Sequence, residues 1–224
     1  MTLPTLSILH LDEQVLVVDK PSGMVVHRGW GDDEVALVDL VRDLTRERAA
    51  HPVQRLDRGA SGAILFARDP VTARLLAEAA ARGEIVKRYL ALVRGAAPDT
   101  ATIDHPIPQK PGGPRVAAVT SMRRVSTVAC EPRTVSLVEV IPHTGRLHQI
   151  RRHLKHLSHP LLGDANYGKG DLNRAFEAAH GLRRLALHAF AYALSNPVTG
   201  ARIEGTATVP RDLGEPMASM GFSS

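Results

Sequence analysis

The pattern of hydrophobic and polar positions along the chain predicts several short strands. Apolar runs of strand length, and segments in which apolar and polar residues alternate, are typical of strands that are buried on one or both faces. Segment 182–194 fits a strand or a helix equally well. The segments that predict strands more clearly are 15–18, 63–67, 86–95, 135–141 and 200–210.

Two segments in the first half of the chain predict helices. The clearer one begins after Asp69, which suits the N-cap, has Pro70 at its first position and ends near Gly83. The other covers residues 35–48, where apolar residues recur at helical spacing behind a pair of aspartates that could cap the helix. A third helix is expected within 147–157 and is treated with its arginines below.

Strands and helices do not alternate regularly, so a doubly wound parallel sheet is disfavoured. We expect an α+β fold with a mixed or mostly antiparallel sheet, and no linker divides the chain convincingly. Residues 98–115 contain five prolines and predict an exposed connection, which either closes over a ligand or is merely variable. The tail, 214–224, is expected to be frayed.

Composition favours a polyanionic partner without requiring one. The chain has 28 Lys and Arg against 23 Asp and Glu, a net charge of +5, although many soluble proteins are mildly basic. Eight aromatic residues among 224 argue against a module that stacks successive bases. One cysteine, no leader-like start and no long apolar run predict a cytoplasmic protein that does not bind a membrane.

The positive charge is clustered, at 123–124, within 146–155 and at 183–184. Such clustering favours a basic cleft that grips nucleic acid by charge and shape. The alternative is three unrelated solvated faces.

Asp57 lies between Arg55 and Arg58 in the segment QRLDRGASG. Neighbouring cations favour the carboxylate form, which can act as a nucleophile or as a base. An ordinary loop aspartate that makes a turn or a salt bridge is the alternative from these nine residues alone.

The predicted helix at 147–157 places four apolar residues on one face, and Arg151 borders that face. A buried guanidinium needs an anionic partner, for which Asp57 is a candidate. Alternatively, the long side chain reaches to water. Arg152 and His156 point mainly away from the apolar face, as a surface facing a polyanion would require.

The histidines at 153, 156 and 159 are spaced like metal ligands, but no cysteine or carboxylate accompanies them at ligand spacing. We therefore predict no metal site. The glycine-rich phosphate motifs of nucleotide-binding proteins are also absent, so no cofactor is predicted.

With these residues in view, the sequence resembles the RluA class of pseudouridine synthases. RLDRGASG resembles the R-L-D-x-x-T-S-G motif of that class. The resemblance extends in matching order from Leu11 to about Pro210, through DKPSGMVVH, KRYLALVRG, HTGRLHQIRRHLKHLSHPLLGD and LALHA.

The resemblance implies a role for several residues. Asp57 would be the essential aspartate, Tyr89 would lie beside the target base, Arg151 would pair with Asp57, and Arg55 would help to displace the uridine. It also implies a single catalytic domain over residues 1–224, built on a mixed, largely antiparallel sheet with flanking helices and a central basic cleft, without a separate N-terminal RNA-binding domain. Catalysis without metal or cofactor is implied as well. Further candidates for RNA binding are Arg58, Lys87, Arg146, His148 and Arg152.

Two positions depart from the motif, because Gln54 replaces the usual histidine and Ala60 the usual threonine. Within the class, VVHRGW, QIRRHL and LLGDANYGKGDLNR are similar to the subfamily that modifies uridine 65 of tRNA. A ribosomal RNA substrate and a catalytically silent RNA-binding protein are the alternatives. DNA is not expected as a partner, and a monomer is favoured.

Overall fold

The computed structural model describes residues 6–28, 35–46, 50–110 and 112–223. The strands in chain order are β1 (Ser7–Leu11), β2 (Val15–Lys20), β3 (His51–Pro52), β4 (Ser61–Ala67), β5 (Val86–Arg94), β6 (Thr100–Asp104), β7 (Ile107–Pro108), β8 (Arg115–Val116), β9 (Val119–Val128), β10 (Val135–Pro142), β11 (Leu187–Ser195) and β12 (Arg202–Thr206). The helices are α1 (Leu37–Thr45), α2 (Pro70–Ala81), α3 (Gln149–His156), α4 (Gly170–His180) and α5 (Arg211–Met220).

The chain divides into two compact units, and each unit consists of two separate segments. The first unit contains Met1–Lys87 and Ala189–Thr208, and the second contains Arg88–His188 and Val209–Ser224. The sequence showed no linker and did not predict this division. That residues 1–224 act as a single catalytic domain stays a prediction.

In the first unit, β1, β2, β4 and β11 are neighbours in that order, β3 pairs with β4, and β12 pairs with β11. The pairs β1/β2, β2/β4, β3/β4 and β11/β12 are antiparallel. The apolar run predicted as a buried strand is β2, whose first four residues are buried. One face of these strands packs against α2 in a core of Val15, Val17, Ala63, Leu65, Ala67, Leu76, Ala79, Ile85, Tyr192, Leu194, Ile203 and Ala207.

Helix α2 confirms the clearest helix prediction. The Asp69 carboxylate accepts hydrogen bonds from the backbone N–H groups of Val71 and Thr72 at 2.8 and 2.9 Å, and therefore satisfies two donors at the helix N-terminus. Pro70 occupies the first position, where its missing N–H costs nothing. Gly83 follows the last turn with a φ of +76°.

Helix α1 is shorter than the predicted 35–48. It begins at Leu37, because Ala36 is extended and its N–H donates to the Asp39 carboxylate at 3.3 Å. It ends at Thr45, since Arg46 adopts the left-handed conformation with a φ of 57°. The aspartates that were expected to cap it, Asp32 and Asp33, lie outside the described residues.

In the second unit, β5, β10, β9 and β6 are neighbours in that order, and each pair is antiparallel. Strands β5 and β10 confirm two of the predicted strands, with Val135 opposite Arg94 and Val140 opposite Tyr89. Strands β7 and β8 form a separate short hairpin. The core contains Leu92, Val135, Leu137, Leu162, Phe176, Leu182, Ala186, Leu213, Met217, Met220 and Phe222.

The expectation of an irregular connection at 98–115 was wrong. Residues 100–104 form β6, which pairs with β9 along its whole length, and Ile103 and Ile107 are buried. The prolines flank β6 rather than interrupt it, so the ladder keeps its N–H donors. Pro108 lies in the two-residue strand β7, where an edge position tolerates it.

The expectation of a frayed tail at 214–224 was also wrong for the described part. Residues 211–220 form α5, and Leu213, Met217, Met220 and Phe222 are buried in the core of the second unit. These side chains recur at three- and four-residue spacing, so they cover one face of the helix.

These elements confirm the predicted α+β class with a largely antiparallel sheet. None of the helices within the described ranges has the length and apolar character needed to cross a membrane. The predicted basic cleft stays a prediction.

Candidate active site

Asp57 lies in a tight turn just before β4. The N–H of Ala60 donates to the backbone oxygen of Asp57 at 3.0 Å, and the Asp57 side chain is half-buried. The neighbouring Arg55 and Arg58 are both exposed. A half-buried carboxylate between two exposed arginines is accessible to a substrate.

The Asp57 turn is held by the segment that follows β2. Lys20 is fully buried, and its ammonium donates to the backbone oxygens of Pro21, Met24 and Arg58 at 3.0, 2.8 and 3.2 Å. Gly23 N–H donates to the same Arg58 oxygen at 2.8 Å. The three donors of a buried ammonium therefore join two chain segments and restrain the backbone next to Asp57.

Two further contacts attach the turn to the same segment. Ser22 Oγ donates to the oxygen of Gly59 at 2.9 Å, and Arg58 Nε donates to the oxygen of Gly23 at 3.1 Å. Arg58, which was predicted to bind RNA, thus also contributes to the turn.

Gly62 makes the exit from the turn possible. Its φ of +110° is unfavourable for other residues, and a Cβ atom there would lie 2.3 Å from the backbone oxygen of Ala189. The final glycine of RLDRGASG therefore permits the close approach of β4 to β11.

Lys87, another predicted RNA contact, lines a small cavity inside the first unit. The cavity is also lined by Gln54, Tyr192 and five apolar residues, Val17, Ala63, Leu65, Ile85 and Leu194. Burial lowers the pKa of Lys87 below its usual 10.5. Gln54 Oε1 and the Tyr192 hydroxyl are buried without a hydrogen-bond partner among the described residues. A contact of Lys87 with RNA stays a prediction.

Tyr89 lies in β5, buried at 6% exposure and opposite Val140 of β10. Its position on a paired strand fixes its backbone firmly. The role that the resemblance gives it, beside the target base, stays a prediction.

Arg151 is buried and ion-paired, so the alternative in which it reaches to water was wrong. Its Nε and Nη2 atoms donate to Asp164 Oδ2 and Oδ1, each at 2.8 Å, in a bidentate pair. Burial raises the pKa of Asp164, but the hydrogen bonds from Arg151 and from backbone N–H groups outweigh burial and hold it below 3.8. The predicted pairing of Arg151 with Asp57 stays a prediction.

The remaining candidates lie in α3 or just before it. Arg146 is exposed, and its Nε donates to the oxygen of Ala117 at 3.2 Å. His148 is the N-cap residue, and its Nδ1 lies 3.1 Å from the Tyr167 hydroxyl. Arg152 is half-buried and donates from Nε to the Tyr167 hydroxyl at 2.8 Å and from Nη1 to the oxygen of Pro108 at 2.7 Å.

The histidines of α3 serve packing and hydrogen bonding. His153 is fully buried, with Nδ1 2.8 Å from Thr120 Oγ1 and Nε2 2.9 Å from the oxygen of His105. His156 stacks on His105 at 3.8 Å between ring centroids. Within the described residues, no group of three potential ligands could hold a metal ion.

The three basic clusters seen in the sequence differ in how their charge is balanced. Arg123 pairs with Glu139, Arg124 with Asp99, Arg183 with Glu177 and Arg184 with Asp212. Arg146, Arg152 and Lys155 pair with no carboxylate among the described residues. Among these three clusters, the cations without a carboxylate partner in the described residues therefore lie in α3 or just before it.

Sequence reasoning gave no role to Lys20, Asp164 and Tyr167. The two segments that contain them, DKPSG and LLGDANYG, were noticed for their resemblance to known proteins. A lysine that ends a buried strand is a signal that could have identified Lys20. Asp164 and Tyr167 lie in a glycine-rich loop without periodicity, so no pattern indicated which side chains turn inward.

Residues 14–156 match the model of a protein family described as RNA pseudouridylate synthase. The chain belongs to this family. The match covers β2 through α3 and therefore includes the Asp57 turn, Tyr89 and Arg151.

Similar proteins include tRNA pseudouridine synthase C of Pasteurella multocida, which is 38% identical over 89% of this chain and 89% of its own. Ribosomal large subunit pseudouridine synthase D of Xanthomonas campestris is 35% identical over 96% of this chain and 69% of its own. Human RNA Pseudouridylate Synthase Domain Containing 1 has a similar structure, with a TM-score of 0.75 and 25% identity over 92% of this chain and 84% of that one. Family membership and fold thus agree.

Proposed function

We propose that this pseudouridine synthase acts on tRNA in the cytoplasm, and that its target is uridine 65. The observation that carries the proposal is the RLDRGASG turn, in which Asp57 is half-buried and the adjacent backbone oxygen of Arg58 is held by Lys20. The similarity to tRNA pseudouridine synthase C over most of the chain supports tRNA as the substrate.

The reaction is an isomerisation within one nucleotide. The N1–C1′ bond of uridine breaks, the uracil rotates, and a C5–C1′ bond forms while the C5 proton leaves and a proton returns at N1. No electrons or groups are imported, so the reaction needs neither a cofactor nor a metal.

Asp57 supplies the carboxylate. It can attack C1′, attack C6 or remove a proton to give a glycal, and all three routes need the ionised form. Lys20 restrains the backbone next to Asp57 before substrate arrives, which lowers the cost of reaching the reactive geometry. The resemblance adds Arg151 as the partner of Asp57 and Tyr89 beside the base.

The target base must leave its stack to reach Asp57. Flipping a base costs about a few kcal/mol, which phosphate contacts can offset. Arg55 is exposed and is therefore suited to help displace the uridine from the base stack. Arg58, Lys87, Arg146, His148 and Arg152 complete the proposed RNA contacts, and the protein works as a monomer.

The test is release of tritium from C5-tritiated uridine in purified tRNA. Wild type should release tritium, and Asp57→Ala should release none while its affinity for tRNA stays within about threefold, because the substitution leaves the cationic contacts intact. Asp171→Ala, which removes an exposed aspartate of α4, is the matched control and should retain activity.

Each outcome identifies one alternative. Release from tRNA at a position other than 65 would refute the assigned site, and release only from ribosomal RNA would favour the activity named for the Xanthomonas relative. Binding without release from either RNA would indicate a silent RNA-binding protein. Equal loss of binding and turnover in Asp57→Ala would make Asp57 structural.

A further inference from the structure

The outward face of α3 carries positive charge that the described part of the protein does not neutralise. Arg152 bonds to two neutral oxygens, and Lys155 is exposed. Neither has a carboxylate partner among the described residues, in contrast to Arg123, Arg124, Arg183 and Arg184. Two adjacent cations of this kind are suited to an anion from outside the protein.

Tyr167 lies at the centre of this charge. The guanidinium carbon of Arg151 is 5.0 Å from the ring centroid, that of Arg152 is 5.8 Å away, and Lys155 Nζ is 5.8 Å away. A ring this close to several cations attracts them through its negative face and reduces their mutual repulsion. The phenol oxygen also accepts the Nε–H of Arg152 at 2.8 Å.

The backbone around Tyr167 is fixed by Asp164. Asp164 Oδ1 accepts the N–H groups of Asn166 and Tyr167 at 2.9 and 3.0 Å, and the same carboxylate pairs with buried Arg151. Gly168 N–H donates to the backbone oxygen of Asp164 at 3.0 Å, where a Cβ on residue 168 would lie 2.4 Å from that oxygen. The ring therefore projects from a turn that is anchored in the core.

These contacts set the orientation of the Arg152 guanidinium. Nε is used by the Tyr167 hydroxyl and Nη1 by the oxygen of Pro108, so two sides of the planar group are fixed. Nη2 has no acceptor among the described residues. An oriented guanidinium with free N–H groups loses little entropy when it binds a phosphate.

We propose that Arg152 and Lys155 bind one backbone phosphate of the RNA and that Tyr167 is the positioning residue that aims Arg152 at it. This proposal rests on RNA as the substrate, as proposed above. Because the contact is to the backbone, it contributes to affinity for any RNA that reaches this face and does not select the target base.

The experiment is a double-mutant cycle of Arg152→Gln and Tyr167→Phe. Equilibrium binding of tRNA is measured at several salt concentrations, together with kcat and KM for tritium release. Tyr167→Phe keeps the ring and removes the hydroxyl that orients Arg152. Tyr192→Phe makes the same chemical change at a buried hydroxyl in the first unit and serves as the matched control.

We expect Arg152→Gln to weaken binding about five- to tenfold and to reduce the slope of log affinity against log salt by roughly 0.7–0.9, the value for one phosphate contact. Tyr167→Phe should weaken binding about two- to fivefold and raise KM with kcat unchanged, and Lys155→Gln should weaken binding similarly. The double variant should bind within about twofold of Arg152→Gln alone, because Tyr167 acts through Arg152.

Independent, multiplied effects in the double variant would overturn the positioning role, as would wild-type affinity in Tyr167→Phe. An unchanged salt slope in Arg152→Gln would overturn the phosphate contact, and wild-type affinity in Lys155→Gln would overturn the two-cation site. Since binding is measured directly, a protein that shows the expected cycle but releases no tritium from tRNA would refute the proposed function and leave this site standing.

Discussion

The two faces of α3 hold neighbouring arginines in opposite ways. Arg151 is buried and shares a bidentate ion pair with Asp164, whereas Arg152 is half-buried and bonded to neutral oxygens. Both lie near the ring of Tyr167. The charge of Arg151 is therefore neutralised inside the protein, whereas the charge of Arg152 remains available to an external anion.

This difference shows why a count of basic residues is a poor guide to an RNA-binding surface. Arg183 and Arg184 looked in the sequence like part of a basic cleft, yet each has a carboxylate partner. The spacing within QIRRHL placed Arg151 beside the apolar face and Arg152 away from it, but it could not show that one pairs with a carboxylate and the other with neutral oxygens. Pairing, which depends on distant residues, decides where charge is available.

The largest expected effect lies on the buried face. Asp164→Asn removes the carboxylate that neutralises buried Arg151, and it should lower the free energy of unfolding by about 3–5 kcal/mol. Urea denaturation measures the change. The matched control is Asp171→Asn, which removes an exposed ion pair with Arg174 and should cost less than about 1 kcal/mol. Equal small losses in both variants would show that the Asp164 pair contributes little to stability.

A moderate effect should appear with pH, also on the buried face. Burial lowers the pKa of His153 below 6.5, and the charges of His105 and His156 lower it further, against opposing effects of the hydrogen bond to the His105 oxygen and of Asp104. The unfolded chain then binds more protons than the folded protein as pH falls through 6.5, so stability decreases on acidification.

The measurement is the free energy of unfolding between pH 8 and pH 5. His153→Gln can still donate to the His105 oxygen and accept from Thr120, so it should fold and lose less stability over this range than the wild type. The pKa of His105 is also lowered, by burial, by His156 and by Arg115. His105 should therefore preserve part of the pH dependence of stability in the variant. Identical pH profiles of the free energy of unfolding for wild type and variant would exclude His153 as a source of the instability at low pH.

The smallest expected effect compares an arginine near the outward face with one outside α3. Arg146→Gln should weaken tRNA binding by about two- to fivefold, because Arg146 has no carboxylate partner among the described residues. Arg183→Gln, which removes a cation already paired with Glu177, should stay within about twofold. Equal effects of the two substitutions would mean that pairing with a carboxylate does not determine which cations bind RNA.

Local signals predicted much of the fold. Asp69 and Pro70 identified α2, because capping acts within one turn of the chain. Alternation identified β5 and β10. The segment 182–194, which fitted a strand or a helix, contains β11, since tertiary pairing decided between two local preferences.

Other elements could not be predicted because their stability comes from distant residues. Strand β9 has mixed polar positions and exists through its pairing with β10 and β6. Helix α5 contains Gly214 and Pro216, which argue against a helix locally, yet its apolar face packs in the core. Helix α4 follows a glycine-rich loop that looked irregular throughout.

In the candidate active site, too, local features could be predicted from the sequence and contacts between distant residues could not. The motif around Asp57 could be identified from residue types and order alone. The support from Lys20 and the partner of Arg151 could not, because Arg58 lies 38 residues from Lys20 and Asp164 lies 13 residues from Arg151 in a loop without periodicity. The sequence therefore identified the motif, whose residues are close together in the chain, but not the distant residues that hold it in place.

The division of each unit into two segments has a consequence for synthesis on the ribosome. The first core needs Tyr192, Leu194, Ile203 and Ala207, and the second needs Leu213, Met217, Met220 and Phe222. Neither hydrophobic core can be completed while translation is still within the first 188 residues. The nascent chain must therefore carry two incomplete hydrophobic cores at once, and its exposed apolar strands can aggregate until the last helix has been synthesised.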